Sequence, residues 1–388
     1  MNKKSMLYKT LQRALSTARP HATKTTADFT RWLKDNAKTK TNSVHGAPKI
    51  QPSFFTDAVG NLHIDTRTTP DHKTLFVAHV DTVHRTEGKN RIRKTATHWH
   101  ADGAQLGADD GAGCAMLMHL LHGGVPAYYI FTQGEEKGGI GAKFLADNYA
   151  GLLGTFDRAI AFDRRGNDSV ITHQGWGRCC SDLFGDALAD ALNTDDLDMM
   201  YARDDSGVYT DTAEFTNLIP ECTNISVGYL HEHTDRECLD ILHIQKLADA
   251  VLKVHWDALP TDRDPTIPDP DNKWDSYDTD WWNKGYGLTP VTGVEHKTDS
   301  TWRSYADPQT DLVYEALYDA RYGFKDELLD LAAAAAYPDD PQLARRMMSS
   351  KRLTTRKIDT IIEMAEAFEF ADTDDLLLNV FDTVYQEQ

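Results

Sequence analysis

With 388 residues, the chain is long enough for two or three domains and at least one large core. Its 60 acidic residues against 41 basic ones give a net charge of -19, which argues against a general binder of nucleic acid or of an anionic membrane surface. No apolar run approaches the length of a membrane span, and five cysteines in no framework spacing suit a reducing compartment, so a cytoplasmic location is expected.

Leu7, Leu11, Ala14 and Leu15 recur at helical spacing, and Phe29, Trp32 and Leu33 predict a second helix over about 26–34. The basic, Ser/Thr-bearing segment 1–40 therefore reads as mature helix rather than transit peptide. Residues 49–66 predict two strands around the turn Val59-Gly60-Asn61, and 74–80 a third strand ending in His79-Val80-Asp81. A polar loop follows, then Asp109-Asp110-Gly111 and a helix over 114–121. The apolar run Ala127 to Phe131 predicts a strand that hands over to the helix after it through Glu135-Glu136. Further strands are expected at 158–162, closing on Asp163, at 168–172 and at 222–228, with helices at 181–192 and 243–256. Strands alternating with helices indicate an α/β fold, a mixed, mainly parallel central sheet sandwiched by helices.

Composition changes after residue 257. Segment 257–280 holds eight aspartates and four prolines, and four of the eight tryptophans lie at 274, 281, 282 and 302. The expected organisation is a catalytic domain over 1–257, an acidic linker or wrapping segment over 258–310, and a helical appendage over 311–388. Leu312, Leu317, Leu328, Leu329, Leu331, Ile358, Ile361, Ile362 and Leu376 to Leu378 form the apolar stripes of that appendage. They read first as core, with self-association, a role at the site mouth or partner recruitment as other uses. The basic residues at 345, 346, 351, 352, 356 and 357 read as a solvated helix face.

The polar candidates cluster after predicted strands: His79 and Asp81, Asp109 and Asp110, Glu135 and Glu136, Asp163, and His233. Each pattern alone has a simpler explanation: a hydrogen-bonded pair, a turn, a surface ion cluster. In open α/β sheets, however, ligands bind outside the carboxyl ends of the strands, so separate loops can converge there. Two histidines and several carboxylates, without cysteine, suit zinc, manganese or cobalt rather than a structural thiolate zinc. Chemistry alone does not choose between Asp109 and Asp110, or between His231 and His233.

The five motifs His-Val-Asp-Thr-Val, Gly-Ala-Asp-Asp-Gly-Ala-Gly, Gly-Glu-Glu-Lys-Gly-Gly-Ile-Gly-Ala, Phe-Asp and Glu-His-Thr-Asp-Arg-Glu resemble, in order, those of the co-catalytic zinc exopeptidases. That superfamily includes peptidase T, glutamate carboxypeptidase relatives and bacterial zinc aminopeptidases; the resemblance covers about residues 5–257. It implies two divalent ions, zinc first. His79, Asp109 and Asp163 would hold one and Asp109, Glu136 and His233 the other. Asp109 is taken from the first aspartate of the family's Asp-Asp-x-x-Gly pattern, and His233 from its His-Thr-x-x-Glu motif. The resemblance further implies that Glu135 is the general base for a water between the ions, that Asp81 orients the imidazole of His79, and that the Asp109–Asp110 peptide is cis.

Carboxypeptidase and deacylase members insert a separate domain between the fourth and fifth ligands. Only 69 residues lie between Asp163 and His233 here, which leaves little room for one. The expected activity is thus that of an aminopeptidase or short-peptide exopeptidase. Carboxylate recognition by Arg164, Arg165, Arg178 or Arg203 is the competitor, and the 206–215 loop, with Tyr209 and Asp211, reads equally as a wall of the pocket or as a plain surface turn. An N-acyl amino-acid amidohydrolase or carboxypeptidase is the alternative enzyme. A non-catalytic protein on the same fold is disfavoured because the five ligand positions and the base are all filled.

Overall fold

The computed structural model describes residues 1–38, 52–174, 177–193, 197 and 199–267, and in the C-terminal region 320, 326–337, 344, 348, 357, 358, 360, 361 and 373–384. The chain divides into two compact units, Met1–Asn283 and Lys284–Gln388. Most of the acidic segment expected at 258–310, including its four tryptophans, lies outside the described residues, as do Leu312, Leu317, Ile362 and all of the basic cluster except Lys357.

The first unit is built on an eight-stranded sheet: β1 (Ser53–Thr56), β2 (Leu62–Asp65), β3 (Thr74–His79), β4 (Tyr128–Thr132), β5 (Arg158–Arg164), β6 (Ser169–Ile171), β7 (Ala202–Asp204) and β8 (Glu221–Ser226). Their order is β7-β6-β8-β5-β3-β4-β2-β1. The central β8-β5-β3-β4 run is parallel throughout, while β1, β2 and the β6–β8 pair supply the antiparallel contacts. Side chains alternate across these strands. Phe76, Ala78, Tyr129, Phe131, Ile160 and Phe162 join one core with the helices α1 (Met6–Leu15), α2 (Lys24–Ala37), α3 (Ala108–Gly123), α5 (Asp182–Leu192) and α6 (Ile241–Val251). Leu75, Val77, Tyr128, Ile130 and Ala159 face the other way, toward α4 (Ile140–Asn148) and Phe215. Both faces are covered, which is why the central strands read as apolar runs rather than as an alternating pattern.

Local chemistry sets the helix starts. Ser5 caps α1 by accepting from the Tyr8 amide at 3.2 Å, Ser181 caps α5 through Phe184 at 3.1 Å, and Asp240 caps α6 through Leu242 and His243 at 2.8 and 2.9 Å. Such caps contribute about 1 kcal/mol each. The last helix ends at Val251 instead of continuing to residue 256; Trp256 opens a separate 3-10 turn and is buried against Phe76.

The loop expected between Thr82 and Leu106 is corrected by the structure. Ile92–Lys94 and His98–Ala101 are strands, joined with Tyr229–Leu230 and Cys238–Asp240 in a four-stranded antiparallel sheet. On His98–Ala101 the buried Trp99 and Ala101 alternate with partly exposed neighbours, and Tyr229, Leu230, Cys238 and Leu239 are buried on the two strands beside it. Trp99 meets Tyr8 edge-on at 5.6 Å and lies under Lys94 at 3.7 Å. Strand β7 also escapes the sequence reading, because it has no buried side chain.

The Tyr201 hydroxyl donates to Ser226 O at 2.6 Å, so Nε2 of the buried His243 donates to the Tyr201 oxygen at 2.9 Å. Burial drops the His243 pKa to about 4, overriding the pull of Asp240. A histidine depressed in the folded state favours folding above its unfolded value near 6.5 and loses that contribution as pH falls toward 4. The loss is on the order of 3 kcal/mol. Denaturant midpoints measured between pH 6.5 and 4 should therefore fall, and fall less steeply in His243→Gln.

In the second unit, Asp326–Ala336 and Thr373–Val384 are helices that share a core of Leu328, Leu329, Ala332, Ala333, Leu376, Leu377, Val380 and Phe381, with Ile358 and Ile361 also buried in it. Leu378 points outward. Among the described residues no helix is long and apolar enough to cross a membrane.

Candidate metal centre

The carboxyl ends of β3, β4 and β5 deliver His79, Glu135 and Glu136, and Asp163 to one edge of the sheet; the start of α3 brings Asp109, and the loop before Cys238 brings His233. Three donor triads result, two of which share Asp109; the third joins His79, Glu135 and Glu136. His79, Asp109 and Asp163 converge closely enough to hold one ion, and Asp109, Glu136 and His233 to hold another. Asp109 belongs to both. Its Oδ1 lies 2.9 Å from His79 Nε2 and its Oδ2 3.0 Å from His233 Nε2. Glu136 Oε2 lies 3.3 Å from His233 Nε2, and Asp163 Oδ1 3.7 Å from His79 Nε2.

Asp110 faces elsewhere. Its carboxylate accepts from the backbone amides of His79 at 3.1 Å and Gly113 at 2.8 Å, and the Asp109–Asp110 peptide is cis. His231 belongs to none of these triads. Both His231 and His233 take left-handed backbone conformations, φ 57° and 66°, which turn the loop tightly there.

Glu135 and Glu136 open a short 3-10 turn, Glu135–Lys137, flanked by glycines. Gly134 has φ 72°, and a Cβ on it would fall 2.8 Å from the His21 ring; Gly139 has φ 68°, and a Cβ there would run into the Tyr209 hydroxyl. Glycine is thus required on both sides by conformation and by space. Glu135 Oε2 comes 3.9 Å from His79 Nε2.

The role expected of Asp81 is divided. His79 Nδ1 lies 3.1 Å from the main-chain oxygen of Asp81 and 3.8 Å from its carboxylate. The carbonyl therefore orients the imidazole and leaves Nε2 facing the donor sets. The Asp81 carboxylate instead accepts from the amides of Gly134 at 2.7 Å and Glu135 at 3.3 Å, which fixes the Glu-Glu turn.

Burial and mutual repulsion act on every carboxylate of the cluster. Burial raises the Asp163 pKa to about 6, with Asp109 adding to it, and burial also raises Glu136 and pushes Glu135 well up against the pull of His79. Burial opposes ionisation of Asp109, but hydrogen bonds from His233 and His79 outweigh it and hold its carboxyl far below the usual range. The hydrogen bonds that His233 donates to Asp109 and Glu136 raise its pKa to about 11. The neighbouring carboxylates thus raise both imidazoles, Asp163 first for His79 and Asp109 first for His233. Glu136 Oε1 is buried without a hydrogen-bond partner. A set of two imidazole nitrogens and three carboxylates, with an orphaned oxygen and excess negative charge, fits two divalent ions of the zinc, manganese or cobalt type.

Tyr229 and Asn224 support the site without a sequence signal. Asp163 accepts from Thr210 Oγ1 at 2.7 Å and from the Tyr229 hydroxyl at 3.0 Å, while Asn224 pairs with its backbone on both sides, at 2.8 and 2.7 Å. Tyr209 donates to Glu214 at 2.9 Å, and Asp211 lies behind the site, buried, accepting from Thr132; burial lifts its pKa to about 7. Of the four arginines offered for carboxylate recognition, Arg164 is engaged by Ser206 and Asp204, Arg165 by Glu232, Arg178 by Asp182, and Arg203 by Asp182 and Asp186.

The fold is similar to that of solved peptidase structures. Among solved structures, the chain is similar to aminopeptidase PepT from Bacillus cereus ATCC 10987, with a TM-score of 0.52, 15% identity, and 65% of this chain and 98% of that one covered. It is similar as well to a tripeptidase from Staphylococcus aureus subsp. aureus Mu50, with a TM-score of 0.50, 16% identity, and coverage of 65% and 97%. At such identities the likeness establishes the fold. No protein-family model and no curated protein sequence matches.

Proposed function

We propose that the protein is a dinuclear-metal exopeptidase, an aminopeptidase acting on short peptides. The observation that carries this reading is the pair of donor triads sharing Asp109, with Glu135 beside them. His79, Asp109 and Asp163 hold one ion; Asp109, Glu136 and His233 hold the other. When bound, the ions supply Lewis-acid polarisation of the scissile carbonyl and acidify water. Glu135 takes a proton from the attacking water and delivers it to the leaving amine. Asp81 keeps this base in place through the turn amides, and its carbonyl keeps His79 turned toward Asp109.

Recognition of a free amine is favoured over a substrate carboxylate because the four arginines that could bind a carboxylate are tied to acidic partners. The 69 residues between Asp163 and His233 form β6, α5, β7 and β8 with their connections, with no inserted domain among the described residues.

A panel of matched peptides with free and N-acylated termini tests the reading. Chelator-sensitive cleavage of the free-amine series is expected, with acylated peptides at least about tenfold slower, the equivalent of about 1.4 kcal/mol. Preference for the acylated series would favour the amidohydrolase.

A further inference from the structure

Two buried charged residues outside both donor sets meet at the turn that carries Asp109. Glu237 is 1% exposed, and its carboxylate accepts from three consecutive amides: Gly107 at 2.8 Å, Ala108 at 2.6 Å and Asp109 at 3.1 Å. All three partners are donors, so both carboxylate oxygens serve as acceptors. These are the amides at the start of α3, where a helix presents unpaired N–H groups. Arg19 is fully buried and makes no ion pair within 4.0 Å among the described residues. Its guanidinium donates to Val80 O at 2.8 Å, to Thr17 O at 3.2 Å, to Ala14 O, and to Gly107 O at 3.4 Å.

The Gly107 residue is therefore held at both ends, its N–H by Glu237 and its carbonyl by Arg19. Val80 directly follows His79, and Glu237 lies four residues beyond His233 in the same loop. Arg19 thus ties the His79 strand end to the Asp109 turn, and Glu237 ties that turn to the His233 loop. We propose that Arg19 and Glu237 are positioning residues, a clamp that fixes the bridging Asp109 between the two histidines and so sets the spacing of the two metal positions. The proposal rests on the two-metal reading of the centre. Neither residue touches the donors of the triads; the clamp acts through backbone.

The test uses the full-length protein and two readouts. Glu237→Gln keeps the shape but turns one acceptor into an NH2 group facing amide donors. In the metal-free protein, deuterium exchange of the peptide containing Gly107 to Asp109 is expected to speed up. In a Co(II) titration followed by visible absorption, affinity is expected to fall about 10- to 100-fold with an altered spectrum, the usual scale for residues supporting metal ligands. Arg19→Lys, which keeps the charge but replaces the planar fork with a compact ammonium, should shift both readouts in the same direction. Glu221→Gln is the control for a merely structural role. Glu221 is equally buried and accepts from Ser181, Asp262 and Arg263, and its loss should lower stability while cobalt affinity stays within about twofold, as expected for independent sites. Unchanged exchange and cobalt binding in Glu237→Gln, or an equal loss of affinity in Glu221→Gln, would overturn the clamp. Failure of the wild-type protein to take up cobalt would instead overturn the two-metal reading, and the exchange readout would still decide the clamp.

Discussion

Glu135→Gln is expected to retain both ions and to lose about 10²- to 10⁴-fold in turnover, the range supplied by a positioned general base. The substitution keeps the side chain's size and its place on the 3-10 turn, whose amides are held by Asp81 rather than by the Glu135 carboxylate. Glu135 lies outside the two triads that share Asp109, so both of those positions keep three protein donors in the variant. What disappears is the proton acceptor. In the metal-free protein, burial pushes the Glu135 carboxyl well above the ordinary range, so this site already favours a group that takes up a proton. Stopped-assay turnover, paired with metal content on the same sample, checks both halves. Loss of metal in step with loss of turnover would make Glu135 a ligand instead of a base.

Asp109→Ala is expected to go further, reducing metal content from two ions to none and activity to background. Asp109 is the one residue common to both triads, and its two oxygens face the two imidazoles at 2.9 and 3.0 Å. Removing it leaves two protein donors at each position, fewer than the three that catalytic zinc sites use. The metal-free protein should also become less stable, because His233 loses its strongest carboxylate partner and His79 loses the one that acts on it after Asp163. Metal analysis and thermal unfolding of the chelated variant separate these effects. Retention of one tightly bound ion would show that the two positions are independent and that Asp109 does not bridge them.

These contrasts follow from features that the sequence displays unevenly. His79, Glu135, Glu136 and Asp163 were legible because they close apolar runs long enough to be recognised as strands, and a strand end in an α/β sheet is where a site forms. The choice of Asp109 over Asp110 needed the family resemblance; the geometry agrees by turning Asp110 toward the amides of His79 and Gly113. The small antiparallel sheet carrying the His233 loop is not legible in the sequence because its strands are two to four residues long, too short for a period of two to emerge. The division of labour in Asp81 was hidden for a different reason. Sequence spacing places a side chain beside its neighbour but says nothing of whether a carbonyl or a carboxylate makes the bond. Arg19 and Glu237 act through backbone groups 88 and 130 positions away, and no local pattern encodes such pairing.

The most direct test of the central claim is anomalous diffraction at the zinc edge from crystals grown with zinc. The account predicts two peaks flanking the Asp109 carboxylate, one among His79, Asp109 and Asp163 and the other among Asp109, Glu136 and His233. The absence of any peak at this edge of the sheet, or a lone peak that Asp109 does not contact, would contradict it.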